Sequence, residues 1–570
     1  MRVRHDRLRH ARFRRTATGA TLVALLGGVS VAGTAGPASA WDGTAAPRAN
    51  AVSVPPEIVV DGVHRRVFVN DATSGNITVS DYAGRWVGRV HGTADVSGLA
   101  LSKDSKTLYA TLSSADTIVA IDTATLKETA RYSTGAGTAP LDLVVAGGKI
   151  WFSYGTTATG GNLGSLDLSG AAPVVVLDQA GGVRWKTAPQ LSVAPGKGDA
   201  DTVVAGSQFE YRVPTEIAVY EVASGTAHKR VHREDARVPL AVEDIAVTAD
   251  GTEVMLAGGN YDSLPTLFTS NLFRNDGSKA SRDFSGIKGR TNAVETAPGG
   301  AVAVGVDHSD DSDVYVFRLG ESAPIRIDGF GELKDLAPRG LAWAPDGSKL
   351  FALVSGLGDD HLGRVRVIDE PTKSASRLGV TAPAKAPLDK KLTLRGTIGS
   401  ALALPWSVPV QITRTDAASP KGKSLGTRTV TPDYDGAFTV QDTPPVGGKV
   451  TYTLRYAGDA THTAVTASVS VDVPRNKTTL TLDGDGKTFA YGKNATLVAQ
   501  LGKTWKERTV SLYAQPAGGA KKLLRTSKVD SKGRIAVTYK ITKNTKFSAV
   551  FPGDARTAPA QDTSAVKVRR

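Results

Sequence analysis

Apolar residues in this chain come in short runs, cut at close intervals by Asp, Gly and Pro. Between residues 41 and 374 one order keeps recurring: an apolar strand, a turn, a second strand, a short loop and a third strand. A fourth strand follows most copies. The plainest copy is GLALSKDSKTLYATLSSADTIVAIDTATLKETARYSTG, Gly98 to Gly135. Its first hairpin returns as EIVVDGVHRRVFVN, LDLVVAGGKIWFSY, LSVAPGKGDADTVVAG, DIAVTADGTEVMLAG, AVETAPGGAVAVGV and LAWAPDGSKLFALV. The turns fall near Asp61, Asp104, Gly147, Gly196, Asp250, Gly299 and Asp346. First strands such as LALS and IAVT barely alternate between apolar and polar, as strands buried on both faces do; TIVAID alternates more clearly. No segment carries a 3.6-residue apolar stripe longer than two turns, so the pattern predicts an all-β chain.

Seven such units of four strands read as a seven-bladed β-propeller over residues 41–374. The tail repeats differently. YTLRYAGDATHTAVTASVSVDV (Tyr452–Val473) returns as FSAVFPGDARTAPAQDTSAVKV (Phe547–Val568), offset by 95 residues. DYDGAFTV (Asp433–Val440) returns as DSKGRIAV (Asp530–Val537). Each copy has the size and strand rhythm of an immunoglobulin-like sandwich, one over 375–473 and one over 474–570. The seventh unit shows only three strands before the first sandwich begins. The pattern therefore predicts that Ala51–Val54 supplies the missing outer strand, and that Arg377–Thr381 does not.

Two resemblances accompany these patterns. LYATLSSADTIVAIDTATLKETARYSTG resembles the YVTN-type propeller repeat; the match is good over the second unit, fair over the first, fifth and seventh, and loose elsewhere. YAGDATHTA resembles the strand-turn-strand of bacterial Ig-like (group 3) repeats. A propeller followed by two such domains is similar to an architecture of secreted proteins in high-GC Gram-positive bacteria. That resemblance implies a fold, not an activity.

The ends and the charge refine the picture. Residues 1–40 read as an export signal: seven arginines in the first fifteen residues, then TLVALLGGVSVAGTAG, then Ala38–Ala40 as a cleavage site. The rest has no apolar run long enough for a transmembrane helix. The chain has no cysteine, which excludes disulfides and thiolate chemistry. Residues 41–374 carry 31 basic and 41 acidic side chains, whereas residues 375–570 carry 31 and 13. An acidic front thus precedes a basic tail, the balance expected of an end that faces polyanions.

Candidate chemistry is sparse. DHSDDSD joins the second and third strands of the sixth unit, and SGLGDDHL does so in the seventh. In a propeller both loops would open on one face, so Asp307, His308, Asp310, Asp311, Asp313, Asp359, Asp360 and His361 are candidate ligands for a divalent cation. The spacing does not match a calcium loop: Ser312 stands where its glycine belongs and Arg318 where its glutamate belongs. A solvated rim is the plainer reading. His228 and His232 are expected on one face of an outer strand, His462 is expected to be structural, and DGDGKT (Asp483–Thr488) is expected to be a hairpin turn. Neither a Gly-x-Ser-x-Gly elbow nor the sialidase-type Asp box occurs. In the last domain Lys521, Lys522, Arg525, Lys528, Lys532, Arg534, Lys540, Lys543 and Lys546 form a candidate polyanion surface. Few aromatics accompany them, which argues against nucleic acid.

The sequence thus points to an all-β, secreted, non-enzymatic binding or scaffold protein. No cofactor is expected for it, and its expected ligand is a protein or glycan met by the propeller face. The basic tail would associate with an anionic cell-wall polymer. The alternative is a hydrolase or lyase, lactonase-like or streptogramin-lyase-like, with a divalent cation at the acidic face.

Overall fold

The computed structural model describes residues 56–71, 74–196, 200–208, 215–235, 242–258, 266–273, 284–307, 312–318, 320–331, 334–356, 364–431, 436–502 and 508–570. Among these the chain is all-β; its one helical element is a single 3-10 turn at Ser113–Ala115. No helix there is long and apolar enough to cross a membrane.

The front folds into seven antiparallel meanders in chain order. Their first strands are Ile58–Asp61, Val96–Leu101, Pro140–Ala146, Gln190–Ser192, Val242–Val247, Arg290–Thr296 and Lys334–Trp343. The fifth and seventh sheets show three strands among the described residues and the others four. Successive sheets are joined by apolar clusters. Phe68, Ile77 and Val79 of the first meet Leu99 and Leu108 of the second, and Ile118 of the second meets Leu143, Ile150 and Phe152 of the third. The series continues through Trp151 with Tyr220, Val219 with Leu256, Met255 with Tyr315, and Val316 with Leu350. A seventh cluster unites Ile58, Val60, Val67, Val69 and Tyr82 of the first sheet with Ala342, Phe351 and Leu353 of the seventh.

A strand between two such clusters is buried on both faces, which explains why alternation fails in these strands. Val67 and Phe68 are adjacent and both fully buried. The same holds for TIVAID: residues 117–121 are all buried. Its alternation expected from sequence is lost because Val119 and Ile121 pack into the cluster shared with the first sheet while Ile118 packs into the one shared with the third.

The tail obeys the opposite rule. Leu392–Ser400 and Val408–Asp416 alternate buried and exposed positions, as half-buried strands do. A three-stranded and a four-stranded sheet share one core that includes Leu394, Ile398, Val410, Tyr452 and Leu454. A three-stranded and a five-stranded sheet share the next, with Leu497, Ile535, Leu512, Phe547 and Phe551.

The sequence repeat at offset 95 has a geometric counterpart. Asp459 Oδ1 accepts the amides of Thr461 and His462, and Asp554 Oδ1 those of Arg556 and Thr557. Gly458 and Gly553 both adopt the left-handed conformation, at φ 77° and 83°. In each copy the residue leading into the repeat, Ser374 or Asn476, bonds to that same loop. His462 is buried and contacts Asp459 at 3.0 Å, a structural position.

Two local expectations change. DGDGKT is a crossing between sheets, not a hairpin: Leu480–Leu482 pairs with Asn494–Leu501, while Thr488–Ala490 pairs in parallel with Ala560–Arg569. Asp483 accepts the amide of Val498 and Asp485 that of Ala565, so the aspartates tie the crossing to both sheets. His228 and His232 lie opposite Glu221 and Ala218, on opposite faces. A bulge between them shifts the strand's phase by one residue.

Candidate functional site

The acidic loops are only partly within the described residues; His308, Asp310, Asp311, Asp359, Asp360 and His361 lie outside them. Asp307 ends its strand against Arg290, whose Nη2 stands 2.6 Å from Oδ2, and Arg290 also reaches Glu243 Oε1 at 3.3 Å. Asp313 is buried; its amide donates to Asp328 O at 2.9 Å and its carboxylate accepts the amide of Phe330. One acid is thus held by an arginine and the other by backbone. Among the described residues no group of three His, Asp or Glu is placed to hold a metal ion.

The nine candidate cations between Lys521 and Lys546 are all exposed. They are spread over both sheets of the second tail repeat: Lys522, Arg525, Lys528 and Lys546 on the five-stranded sheet, Arg534 and Lys540 on the three-stranded one. Arg525 joins their margins by donating to Ala536 O at 2.8 Å. Lys521 Nζ lies 4.5 Å from the Tyr513 ring centre.

Among the described residues a denser cluster of buried charge lies elsewhere, where the first strands of the seven front sheets meet. A first strand pairs on one side only, so its outer amides need another acceptor. Three acids supply it. Glu57 Oε2 accepts the amide of Leu99 at 2.9 Å, Asp142 Oδ2 that of Leu191 at 3.0 Å, and Asp244 Oδ2 that of Val294 at 2.9 Å. Each acid belongs to an odd-numbered sheet and each amide to the even-numbered sheet that follows.

The seventh sheet contributes the counter-charge. Its first strand bulges between Leu336 and Leu341. Within the bulge Arg339 takes φ 56°, a left-handed conformation that non-glycine residues rarely adopt. Its guanidinium meets all three acids: Nη2 is 3.2 Å from Asp142 Oδ2 and 3.6 Å from Glu57 Oε1, and Nε is 3.8 Å from Asp244 Oδ1. Asp142 Oδ1 and Asp244 Oδ1 also accept the amides of Leu143 and Ile245. All six carboxylate oxygens are therefore engaged.

Burial sets the proton affinities. It pushes Glu57 up to about 8, reinforced by the charge of Asp142 and opposed by Arg339. Burial likewise raises Asp244 to about 6, against Arg339, and nearby Glu295 to about 8 with help from Asp244. For Arg339, burial works against the charge, but Asp142, Glu57 and Asp244 outweigh it and keep the guanidinium firmly protonated.

Sequence reasoning passed over this cluster, though a signal was present. Glu57, Asp142 and Asp244 each stand directly before an apolar triplet, IVV, LVV or IAV, in alternate repeats. Gly98, Gln190 and Ala293 occupy the corresponding place between them. Gly98 has a reason to lack a side chain: a Cβ there would lie 2.8 Å from the Cα of Asp142.

The sequence matches no family model and no curated protein. Solved structures with related chain traces exist. The β-propeller domain of Cps50 (Swd1) from Myceliophteria thermophila is 12% identical; the match covers 55% of this chain and 96% of that one, with a TM-score of 0.38. Kluyveromyces lactis Hsv2 is 11% identical over 56% of this chain and 98% of its own, at 0.37. Regucalcin of Agrobacterium tumefaciens, a calcium-binding protein, is 17% identical over 48% and 89%, at 0.30.

Proposed function

We propose that the chain is an exported, non-enzymatic binding protein. Its seven sheets would form a seven-bladed propeller of the YVTN kind that serves as a rigid platform for a protein or glycan. Two Ig-like domains then extend it, and the basic second one associates with an anionic cell-wall polymer. The observation that carries this reading is the engagement of every oxygen of Glu57, Asp142 and Asp244. A hydrolase or lyase needs an acid or base free to meet substrate in a cleft. Here the central acids are committed to neighbouring amides and to Arg339, which makes them fastenings of a scaffold. The apolar cluster between the first and seventh sheets supports a continuous platform.

The tail's role has a direct test. Full-length protein is sedimented with cell walls that carry phosphodiester polymers, at rising NaCl. Retention at low salt and release as the Debye length shrinks from about 10 Å at 0.1 M towards about 3 Å at 1 M is the expected result. A variant with Lys521, Lys522, Lys528 and Lys546 changed to Glu should release at lower salt. Retention indifferent to both salt and these changes would overturn the wall-binding reading.

A further inference from the structure

The seventh front sheet takes no strand from Ser376–Thr381, as expected, and Ala51–Val54 lies outside the described residues. Ser376–Thr381 instead pairs with Leu392–Ser400 in the first tail repeat. Where these two strands end, a cleft of about 520 Å³ opens. Lys391, Thr393 and Arg395 line one side of it, on the outward face of a strand whose Leu392 and Leu394 enter the core. The other side is the segment from Ala382 to Pro387, which crosses to the second sheet of the repeat. Backbone bonds fasten that crossing: Ala386 donates to Asp472 O at 3.1 Å, and Asp472 donates to Ala384 O at 2.9 Å. Ala386 is buried in the core, which turns the adjacent Lys385 outwards along the cleft. Pro383 and Pro387 restrict the backbone on either side of Lys385.

The charge of this cleft is uncompensated. No Asp or Glu lines it, and no ion pair engages Lys385, Lys391 or Arg395 among the described residues. The neighbouring acids are committed elsewhere, Asp389 to Arg556 and Asp442 to Arg414. Of the eleven Lys and Arg between residues 375 and 473, Arg414 alone stands in an ion pair among the described residues. Nor is the grouping a by-product of the repeat. Arg395 pairs with Thr439; in the second repeat Val498 pairs with Ala536, the residue that matches Thr439. By the same register Asn494 stands at the place of Lys391. The more basic repeat thus has no cation at either position.

We propose that the cleft formed by Lys385, Lys391, Thr393 and Arg395 is an anion-binding groove whose occupant is a phosphodiester polymer. Lys391 and Arg395 stand roughly 14 Å apart along their strand, a spacing suited to charges repeated along an extended chain. The Thr393 hydroxyl between them is a hydrogen-bond donor for a phosphate oxygen. The choice of polymer rests on the wall-binding reading above; the cleft itself does not.

The test is lysine acetylation of the full-length chain, read residue by residue by mass spectrometry, with and without a soluble glycerol-phosphate polymer. Lys385 and Lys391 should be protected, whereas Lys421, Lys423 and Lys449, exposed elsewhere in the same repeat, should react as before. Changing Lys385, Lys391 and Arg395 together to Gln should weaken polymer binding about tenfold and flatten its salt dependence. Lys385→Arg with Lys391→Arg should retain binding, and an unchanged Tm confirms that both variants fold. Equal protection of all these lysines would show a diffuse charge effect and overturn the groove. Equal protection by polygalacturonate, a carboxylated glycan, would overturn the phosphodiester assignment. Protection confined to Lys521–Lys546 would overturn the groove and leave the wall-binding reading standing. Failure of the polymer to bind at all would overturn both.

Discussion

Arg339 is one side chain set among three acids, and removing its charge leaves them buried and uncompensated. Arg339→Met should therefore destabilise the front of the molecule by about 3–5 kcal/mol, read as a loss of urea midpoint. Combining it with Glu57→Gln, Asp142→Asn and Asp244→Asn should recover part of that loss, because the amide side chains keep an acceptor for Leu99, Leu191 and Val294. No recovery would mean that Arg339 acts through shape rather than charge. Glu57 adds a pH dependence. Its folded affinity, about 8, lies above the ordinary 4.5, so the folded state binds more protons than the unfolded between those values. Stability from this group is fully present below about pH 4.5 and is lost as pH rises towards 8. Glu57→Gln should flatten the fall of Tm between pH 5 and 8; an unchanged slope would assign the effect to another acid, with Glu295 next in line.

At the scale of elements, contact between first strands controls which residues are tolerated. Gly98→Ala drives a methyl group into the backbone at Leu141 and Asp142, where neither neighbour is a movable side chain. A destabilisation of about 1–3 kcal/mol is expected, measured by thermal melting; a neutral result would show that the two strands can separate locally. The same scale shows what local pattern conveys. Strand existence and turn positions were legible because Asp-Gly turns and short apolar runs act within a few residues. The faces of His228 and His232 were not, since a single bulge inverts a period of two. The sheet crossing at Asp483–Lys487 was not legible either: an Asp-Gly turn has the same residues whether or not the strands it joins pair with each other.

At the scale of the whole molecule, the two tail repeats meet through one side chain that the repeat does not share. Arg556 bonds to Asp389 and to Pro445 O, and Gly447 donates to Ala555 O at 2.6 Å. Its counterpart in the first copy is Thr461. Arg556→Ala should loosen this joint without unfolding either repeat, visible as a broader distance distribution in small-angle scattering and an unchanged Tm. An unchanged scattering profile would place the joint's rigidity in the backbone contact at Gly447.

The sequence by itself determined the all-β class, the sevenfold and twofold repetition and the split between doubly buried front strands and half-buried tail strands. Periodicity and turn chemistry are local, and each strand reports its own burial. Only the tertiary structure decided that Glu57, Asp142, Asp244 and Arg339 are a single site. They are separated by 85, 102 and 95 residues, and no local signal carries that distance. Their meeting depends on alternate first strands presenting an acid to the next sheet's unpaired amide, and on a bulge that turns one arginine towards all three.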